Sequence, residues 1–166
     1  MYAIGQKVVY SSHGVCEICG KENQSIQGRL VNYWILEPVG KRNARFFVPA
    51  DNSAVLSKIH PLLSRDELNA LLVSDKVAPM DWVADENQRK NMYRTLINQG
   101  TREELISAIR MLHRYRRAQQ DAGRRLHLCD ENFLRDAQQL IAGEVSLVLG
   151  IPEEQVGTYL AEQLDK

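Results

Sequence analysis

The chain has 166 residues, of which 44% are hydrophobic and 25% charged, a composition typical of a globular protein and unlike that of disordered or fibrous chains. Its 21 basic and 21 acidic residues give a net charge of zero, and no apolar run approaches the roughly 18–20 residues that a membrane helix needs. Three cysteines, an odd number, and an N-terminus without a basic leader or an apolar region predict a cytoplasmic protein without a disulfide framework.

The first 60 residues show the pattern of short β-strands. Valine-rich, aromatic and β-branched runs alternate with turn residues such as Gly, Asn and Ser every 8–12 residues or so. This spacing predicts a small antiparallel β-barrel. The expected strands are 6–10, 15–20, 30–37 and 44–48, with turn material at 25–29.

From Pro61 onward the apolar period becomes helical. Ser64–Glu67 and Thr101–Glu104 have the spacing of capping boxes, Asp85 and Asp130 are expected to cap two further helices, and Gly100, Gly123 and Gly150 mark helix ends. Pro152 suits the start of a last helix. The sequence therefore predicts an α+β protein, with a β domain at 1–60 and an all-α domain of about five helices at 61–166.

Charge is distributed unevenly along the helical half. Between residues 89 and 125 ten basic side chains face three acidic ones, whereas from residue 126 onward two basic face eight acidic ones. This asymmetry suggests a positive face on a neutral molecule, as a nucleic-acid partner would require.

Two motifs invite a chemical interpretation, and one of them has little support. Cys16 and Cys19 form a CxxC, but the remaining ligands of a zinc site are missing and the motif falls inside a predicted strand, where a thioredoxin-type pair would precede a helix. Two ordinary strand cysteines are the preferred interpretation. No phosphate loop, nucleophile elbow or HExxH motif occurs, so no catalytic residue, metal or cofactor is expected.

The second feature is Trp82, which lies in an extended Pro79–Trp82 segment between two predicted helices. It is either a core residue that fixes this linker or an exposed aromatic wedge of the kind that proteins insert into the minor groove. Arg89, Lys90 and Arg94 follow and could hold phosphates, and Arg110, Arg114 and Arg117 share one helical stripe that could do the same or simply solubilise the helix.

Read together, these segments resemble the CarD (CdnL/TRCF-like) family of bacterial transcription regulators. The opening Ile4–Val15 is similar to the family's "G-D-x-V-V-Y-P-x-H-G-V", and Arg45–Asn52 to its "K-I-x-V-P-x-x-N". Pro79–Trp82, Gln99–Ile106 and Leu147–Pro152 recur in the family's order. The resemblance covers nearly the whole chain.

The resemblance implies a Tudor/SH3-like barrel that binds the RNA polymerase β subunit by β-augmentation, and a helical domain that binds promoter DNA at the upstream edge of the melted region. Contacts would be to the backbone and minor groove, without sequence specificity, and would stabilise the open complex. A monomer near the nucleoid, without a membrane partner, is expected. The implied polymerase-binding residues are Asn43, Arg45, Phe46 and Phe47, and the implied DNA-binding residues are Trp82, Arg89, Lys90, Arg94, Arg114 and Arg117.

Departures from the family pattern leave alternatives open. The turn proline is Ser11, the aspartate after the opening glycine is Gln6, and Val83–Glu86 shifts the register of the arginines after Trp82. The main alternative is a barrel-plus-helices adaptor that binds another protein and leaves DNA alone. A modified-lysine reader with an aromatic cage and a thiol redox protein are two further possibilities. Activation and repression are not distinguished by the sequence.

Overall fold

The computed structural model describes residues 2–40 and 43–164, which fall into two compact units. The first ends at Leu62 and the second begins at Leu63, two residues beyond the boundary that the change of period suggested. The first unit contains an antiparallel sheet and the second is helical, so the α+β prediction is confirmed.

The first unit is a five-stranded antiparallel sheet with the strand order β4-β3-β2-β1-β5. β4 and β5 therefore lie at the ends of the hydrogen-bonded order. A 3-10 turn at Ser11–His13 follows β1, and the short helix α1 follows β4. The strands are β1 (Lys7–Tyr10), β2 (Val15–Ile26), β3 (Arg29–Pro38), β4 (Phe46–Pro49) and β5 (Ile59–Pro61), and α1 spans Ser53–Leu56.

The β2–β3 hairpin is longer than the sequence pattern indicated. Both strands continue into the expected 25–29 turn, because the turn needs only Gln27 and Gly28, whose positive φ angles of 50° and 78° match a tight hairpin. β4 reaches only as far as Tyr33 along β3, so the tip of the hairpin extends beyond the other strands. Two apolar side chains of this tip, Ile26 and Leu30, are exposed.

The second unit contains five α-helices, as predicted, and a 3-10 turn at Asp75–Val77. Their apolar faces form one core, in which Leu72, Ile109, Leu112 and Leu160 are almost fully buried. The helices are α2 (Arg65–Leu72), α3 (Glu86–Gln99), α4 (Arg102–Asp121), α5 (Leu128–Leu149) and α6 (Glu153–Leu164).

Local helix signals are mostly realised as expected. Ser64 Oγ accepts from the Glu67 N–H (3.1 Å) and Glu67 Oε2 accepts from the Ser64 N–H (2.8 Å), a complete capping box. Asp85 accepts from the N–H of Gln88 (2.9 Å) at the start of α3. These bonds satisfy backbone donors that a helix N-terminus leaves unpaired.

The prediction that Asp130 caps a helix is wrong. α5 begins at Leu128 and its cap position is His127, which makes no side-chain capping bond. Asp130 lies inside the first turn and is completely buried. Its carboxylate is used in tertiary contacts, which a pattern of residues near a helix start does not reveal.

Candidate nucleic-acid interface

The Trp82 segment is an extended stretch that runs along α4. The N–H of Met80 donates to the carbonyl of Ser107 (3.4 Å), and Arg110 donates to the carbonyls of Val77 (2.9 Å) and Leu72 (2.8 Å). Arg110 thereby binds carbonyl oxygens at the end of α2 and in the 3-10 turn that follows it. These bonds fix the start of the segment, and the Asp85 cap fixes its end.

Both faces of the Trp82 ring are covered. The Tyr115 ring of α4 stacks on it with a centroid distance of 3.5 Å and an interplanar angle of 12°. The guanidinium carbon of Arg89 lies 4.4 Å from the indole centroid, and because the tyrosine fills one face, the guanidinium must occupy the other. Trp82 is half-buried at the rim of the helical core, so the exposed part of its ring is an edge.

Arg89 is buried, unlike the phosphate-binding side chain that the sequence suggested. Its side chain is 4% exposed and makes two bonds to the Asp130 carboxylate, Nε to Oδ1 at 3.0 Å and Nη2 to Oδ2 at 3.1 Å. Burial lowers the pKa of Arg89, but the Asp130 carboxylate outweighs this effect and holds the pKa above its ordinary value. In this conformation the guanidinium is bound to a carboxylate inside the unit, whereas a phosphate contact would need it at the surface.

Tyr93 completes the buried site around Asp130. Its hydroxyl donates to Asp130 Oδ1 at 2.6 Å, and its ring stacks on Phe133 with a centroid distance of 4.1 Å. Burial and the bond to Asp130 raise the pKa of Tyr93 well above its usual range. The hydroxyl is therefore a fixed donor to a charged acceptor.

The other four basic residues expected at DNA are on the surface. Arg94, Arg114 and Arg117 are exposed, and Lys90 lies 3.2 Å from Glu86 in an exposed pair on α3. Such a pair is weak, so it leaves the ammonium able to exchange its partner. Arg114 directly precedes the Tyr115 that stacks on Trp82.

The stripe from Arg110 to Arg117 is only partly presented to solvent, because Arg110 points inward to backbone carbonyls. Burial, and then the nearby Arg114, lower the pKa of Arg110. Two exposed arginines of the same basic block, Arg124 and Arg125, follow the end of α4 and add positive charge that the site prediction omitted.

The residues expected to bind polymerase lie on and beside the edge strand β4. Arg45 and Asn43 are exposed, and Arg45 Nε binds Glu37 Oε1 at 2.9 Å on the neighbouring strand. Phe47 points outward and is 47% exposed, whereas Phe46 points inward and contacts the rings of Tyr10 and His13. One edge of β4 is paired with β3, and β4 ends the hydrogen-bonded strand order.

The two strand cysteines have unequal environments. Cys16 is buried and Cys19 is exposed at the bulge that interrupts pairing between Ile18 and Gly20. Burial, followed by the neighbouring Cys19, raises the pKa of Cys16 to about 11, and burial is also the main cause of the raised pKa of Cys19. A redox-active thiol needs the opposite shift.

The aromatic side chains of the β unit, considered as a lysine cage, mostly contact one another. Tyr10, His13 and Phe46 form a cluster with centroid distances of 4.2–5.5 Å, and Tyr33 packs edge-on against Phe47. The Nζ of Lys21 lies over the Trp34 ring, 5.0 Å from its centroid. Their rings are therefore engaged by neighbours within this unit.

Within residues 2–40 and 43–164, no group of three or more His, Cys, Asp and Glu side chains has an arrangement that could bind a metal ion. None of the helices in the described part of the chain has the length and apolar content needed to span a bilayer.

Sequence reasoning missed two residues of this site. Tyr115 lies within a run of arginines and is not identified by the sequence analysis, which predicts a capping role for Asp130. The sequence carries only a weak signal for either role. Tyr115 is one aromatic residue within a run of arginines, and Asp130 lies near a helix start, 41 residues from its partner Arg89.

Residues 2–60 match the family model described as the CarD-like/TRCF RID domain. The match spans the β unit, and the helical unit lies outside it. A comparison of the chain with curated proteins gave no match.

Proposed function

We propose that this chain, whose residues 2–60 match the CarD-like/TRCF RID domain, is a transcription regulator of the CarD-like family that binds the RNA polymerase β subunit and also holds promoter DNA. The polymerase would be bound through β4, and the upstream edge of the melted region through the Trp82 surface. We define the Trp82 surface as the exposed edge of Trp82 together with Lys90, Arg94, Arg114 and Arg117. It would act at the nucleoid, in the cytoplasm.

The observation that carries the DNA half of this proposal is the geometry of Trp82. A half-buried ring whose faces are held by Tyr115 and Arg89 presents a rigid edge at the rim of the unit. With no free face, it could not intercalate by stacking between two bases. It could press its edge against the last intact base pair beside a melted region, as apolar wedges do at unstacked steps.

The exposed cations supply the contacts that such a wedge needs. Arg94, Arg114 and Arg117 can neutralise phosphates, which gives affinity and orientation without reading the sequence. Lys90 can exchange Glu86 for a phosphate oxygen at little cost because both partners are about half exposed. Preference for an open promoter would then come from the wedge and general affinity from the cations.

The polymerase half rests on the strand edge. β4 pairs with β3 through Phe46–Pro49, and a strand of the partner could add to its other side by main-chain hydrogen bonds. Phe47 would contribute an apolar contact from the outer face, and Arg45, held against Glu37, would contribute charge. Binding of the β unit to polymerase would raise the local concentration of the helical unit at the promoter.

The regulatory effect follows from differential binding. The end of a melted region exists in the open complex and not in the closed one, so a wedge that engages it shifts the population toward the open complex. No catalytic step is part of this proposal. A protein adaptor without DNA binding is the second candidate, favoured by the packing of both Trp82 faces inside the unit.

The deciding experiment measures open-complex lifetime on a promoter fragment with bacterial RNA polymerase. We expect wild type to lengthen the lifetime several-fold and Trp82→Ala to lose most of that effect. Trp34→Phe, a change in the other unit, serves as the control, and circular dichroism checks that each variant is folded. If wild type has no effect, or if folded Trp82→Ala matches it, the adaptor replaces this proposal.

A further inference from the structure

Arg89 is the point at which three parts of the helical unit meet. Its Nε and Nη2 donate to Asp130 on α5, its Nη1 donates to the carbonyls of Val83 and Ala84 (both 3.1 Å), and its guanidinium carbon lies over the Trp82 ring. Four donor contacts and one ring contact thus come from a single buried side chain. Val83 and Ala84 are the two residues directly after Trp82.

We infer that the Arg89–Asp130 pair is a positioning clamp that presets the orientation of the Trp82 edge for its target. This inference rests on the proposed function, because it assigns a role in that same DNA site. The clamp holds the backbone after Trp82 through two carbonyls and the indole plane through the guanidinium. Tyr115 supports the opposite face.

The chemistry of the clamp favours positioning over simple stabilisation. A buried ion pair contributes little net stability compared with apolar residues of similar volume, since both charges lose their hydration. The pair also fixes orientation: a planar guanidinium bound to both oxygens of a carboxylate has a fixed plane, and its central carbon lies 4.4 Å from the indole centroid. Tyr93 fixes the carboxylate in turn, donating to Oδ1 at 2.6 Å.

The energetic consequence is preorganisation. A tryptophan on the extended segment between the 3-10 turn and α3 would otherwise sample several orientations and lose that freedom on binding DNA. With the clamp in place, the loss has already occurred during folding. Removing the clamp should therefore weaken the wedge even where the ring and the surface cations are unchanged.

Arg89→Lys is the sharpest test variant. It keeps the positive charge near Asp130 but loses the fork, the carbonyl bonds and the flat contact with the indole. The matched control is Arg102→Lys, which weakens another buried arginine–carboxylate pair of the same unit, Arg102 with Glu144. Asp130→Asn provides a second clamp variant that keeps the shape of the side chain.

Two measurements on the full chain separate positioning from stability. In a Trp34→Phe background Trp82 is the sole tryptophan, and acrylamide quenching reports its accessibility. We expect Arg89→Lys to raise the quenching constant at least twofold and to reduce the lifetime effect to near that of Trp82→Ala. Arg102→Lys should change neither, at a comparable loss of thermal stability.

The outcomes discriminate clearly. Unchanged quenching in folded Arg89→Lys and Asp130→Asn overturns the clamp, and so does raised quenching with a wild-type open-complex lifetime. Unfolding of both variants overturns it as well, because the pair is then needed for the fold itself. If wild type itself leaves the lifetime unchanged, the proposed function fails, and quenching alone still shows whether Arg89 holds Trp82.

Discussion

Arg102 and Glu144 form a bidentate ion pair that joins the first turn of α4 to α5, with Nε–Oε1 and Nη2–Oε2 distances of 2.5 and 2.6 Å. Glu144 is 4% exposed in its side chain and also accepts from the N–H of Leu63 at 3.2 Å. One carboxylate therefore holds two helices and the first residue of the helical unit.

Replacing Glu144 by Ala should lower the free energy of unfolding of the helical unit by about 3–5 kcal/mol, because it breaks a largely buried ion pair by removing one of its two charges. Urea denaturation followed by circular dichroism measures this. Asp136→Ala, which breaks an exposed pair with Arg135, is the control and should change stability by less than about 1 kcal/mol. Equal effects of the two substitutions would contradict the assignment.

Removing exposed arginines of the Trp82 surface should change the salt dependence of DNA binding. For Arg114→Ala and for Arg117→Ala we expect the slope of log K against log salt concentration to become shallower by about 0.9 each, since one phosphate contact is lost. Fluorescence anisotropy on a promoter fragment with a premelted region measures the slope. Arg135→Ala, outside the basic block but also exposed, should leave it unchanged.

The edge strand supplies a prediction for polymerase binding. Phe47→Ala should weaken binding to the β subunit about tenfold, because an exposed aromatic beside a paired strand edge is a typical centre of interface energy. Calorimetric titration of the β subunit with the full chain measures this. Leu30→Ala is the matched control: Leu30 is 70% exposed on the same sheet but lies at the hairpin tip, away from β4. A loss caused by Leu30→Ala alone would relocate the interface to that tip.

Alkaline pH should destabilise the β unit through Cys16. Burial raises its folded-state pKa from 9.0 to about 11, so the folded state binds this proton more tightly than the unfolded one. The stabilisation is complete below pH 9 and is lost as pH rises toward 11, by at most about 1.4 kcal/mol per pH unit. The free energy of unfolding, measured from pH 8 to 11, should therefore decrease more steeply for wild type than for Cys16→Val. Parallel curves would show that the thiol does not titrate in this window.

Helix limits were largely predictable from the sequence because their causes are local. Ser64, Asp85 and Gly150 each act on backbone groups within a few residues, and the structure places each in its expected role. The change from β to helical periodicity near Pro61 likewise reflects alternation of neighbouring side chains. Such features need no knowledge of which segments meet in space.

The site was less predictable because its partners are distant in the chain. Arg89 and Asp130 are 41 residues apart, and Arg102 and Glu144 are 42 apart. The sequence reveals a basic block and an acidic successor, but not that two of the arginines neutralise acids of α5 inside the unit. A count of charge along the chain therefore overstates the charge on the surface.

The positions of these two ion pairs in the chain also affect the order in which the two units fold during synthesis. The β unit is complete once residue 62 has left the ribosome, whereas Asp130 and Glu144, which bind Arg89 and Arg102, are made only when α5 follows. At typical synthesis rates this separates the two events by on the order of ten seconds. The β unit can thus fold while the helical unit, which carries Trp82, still lacks α5.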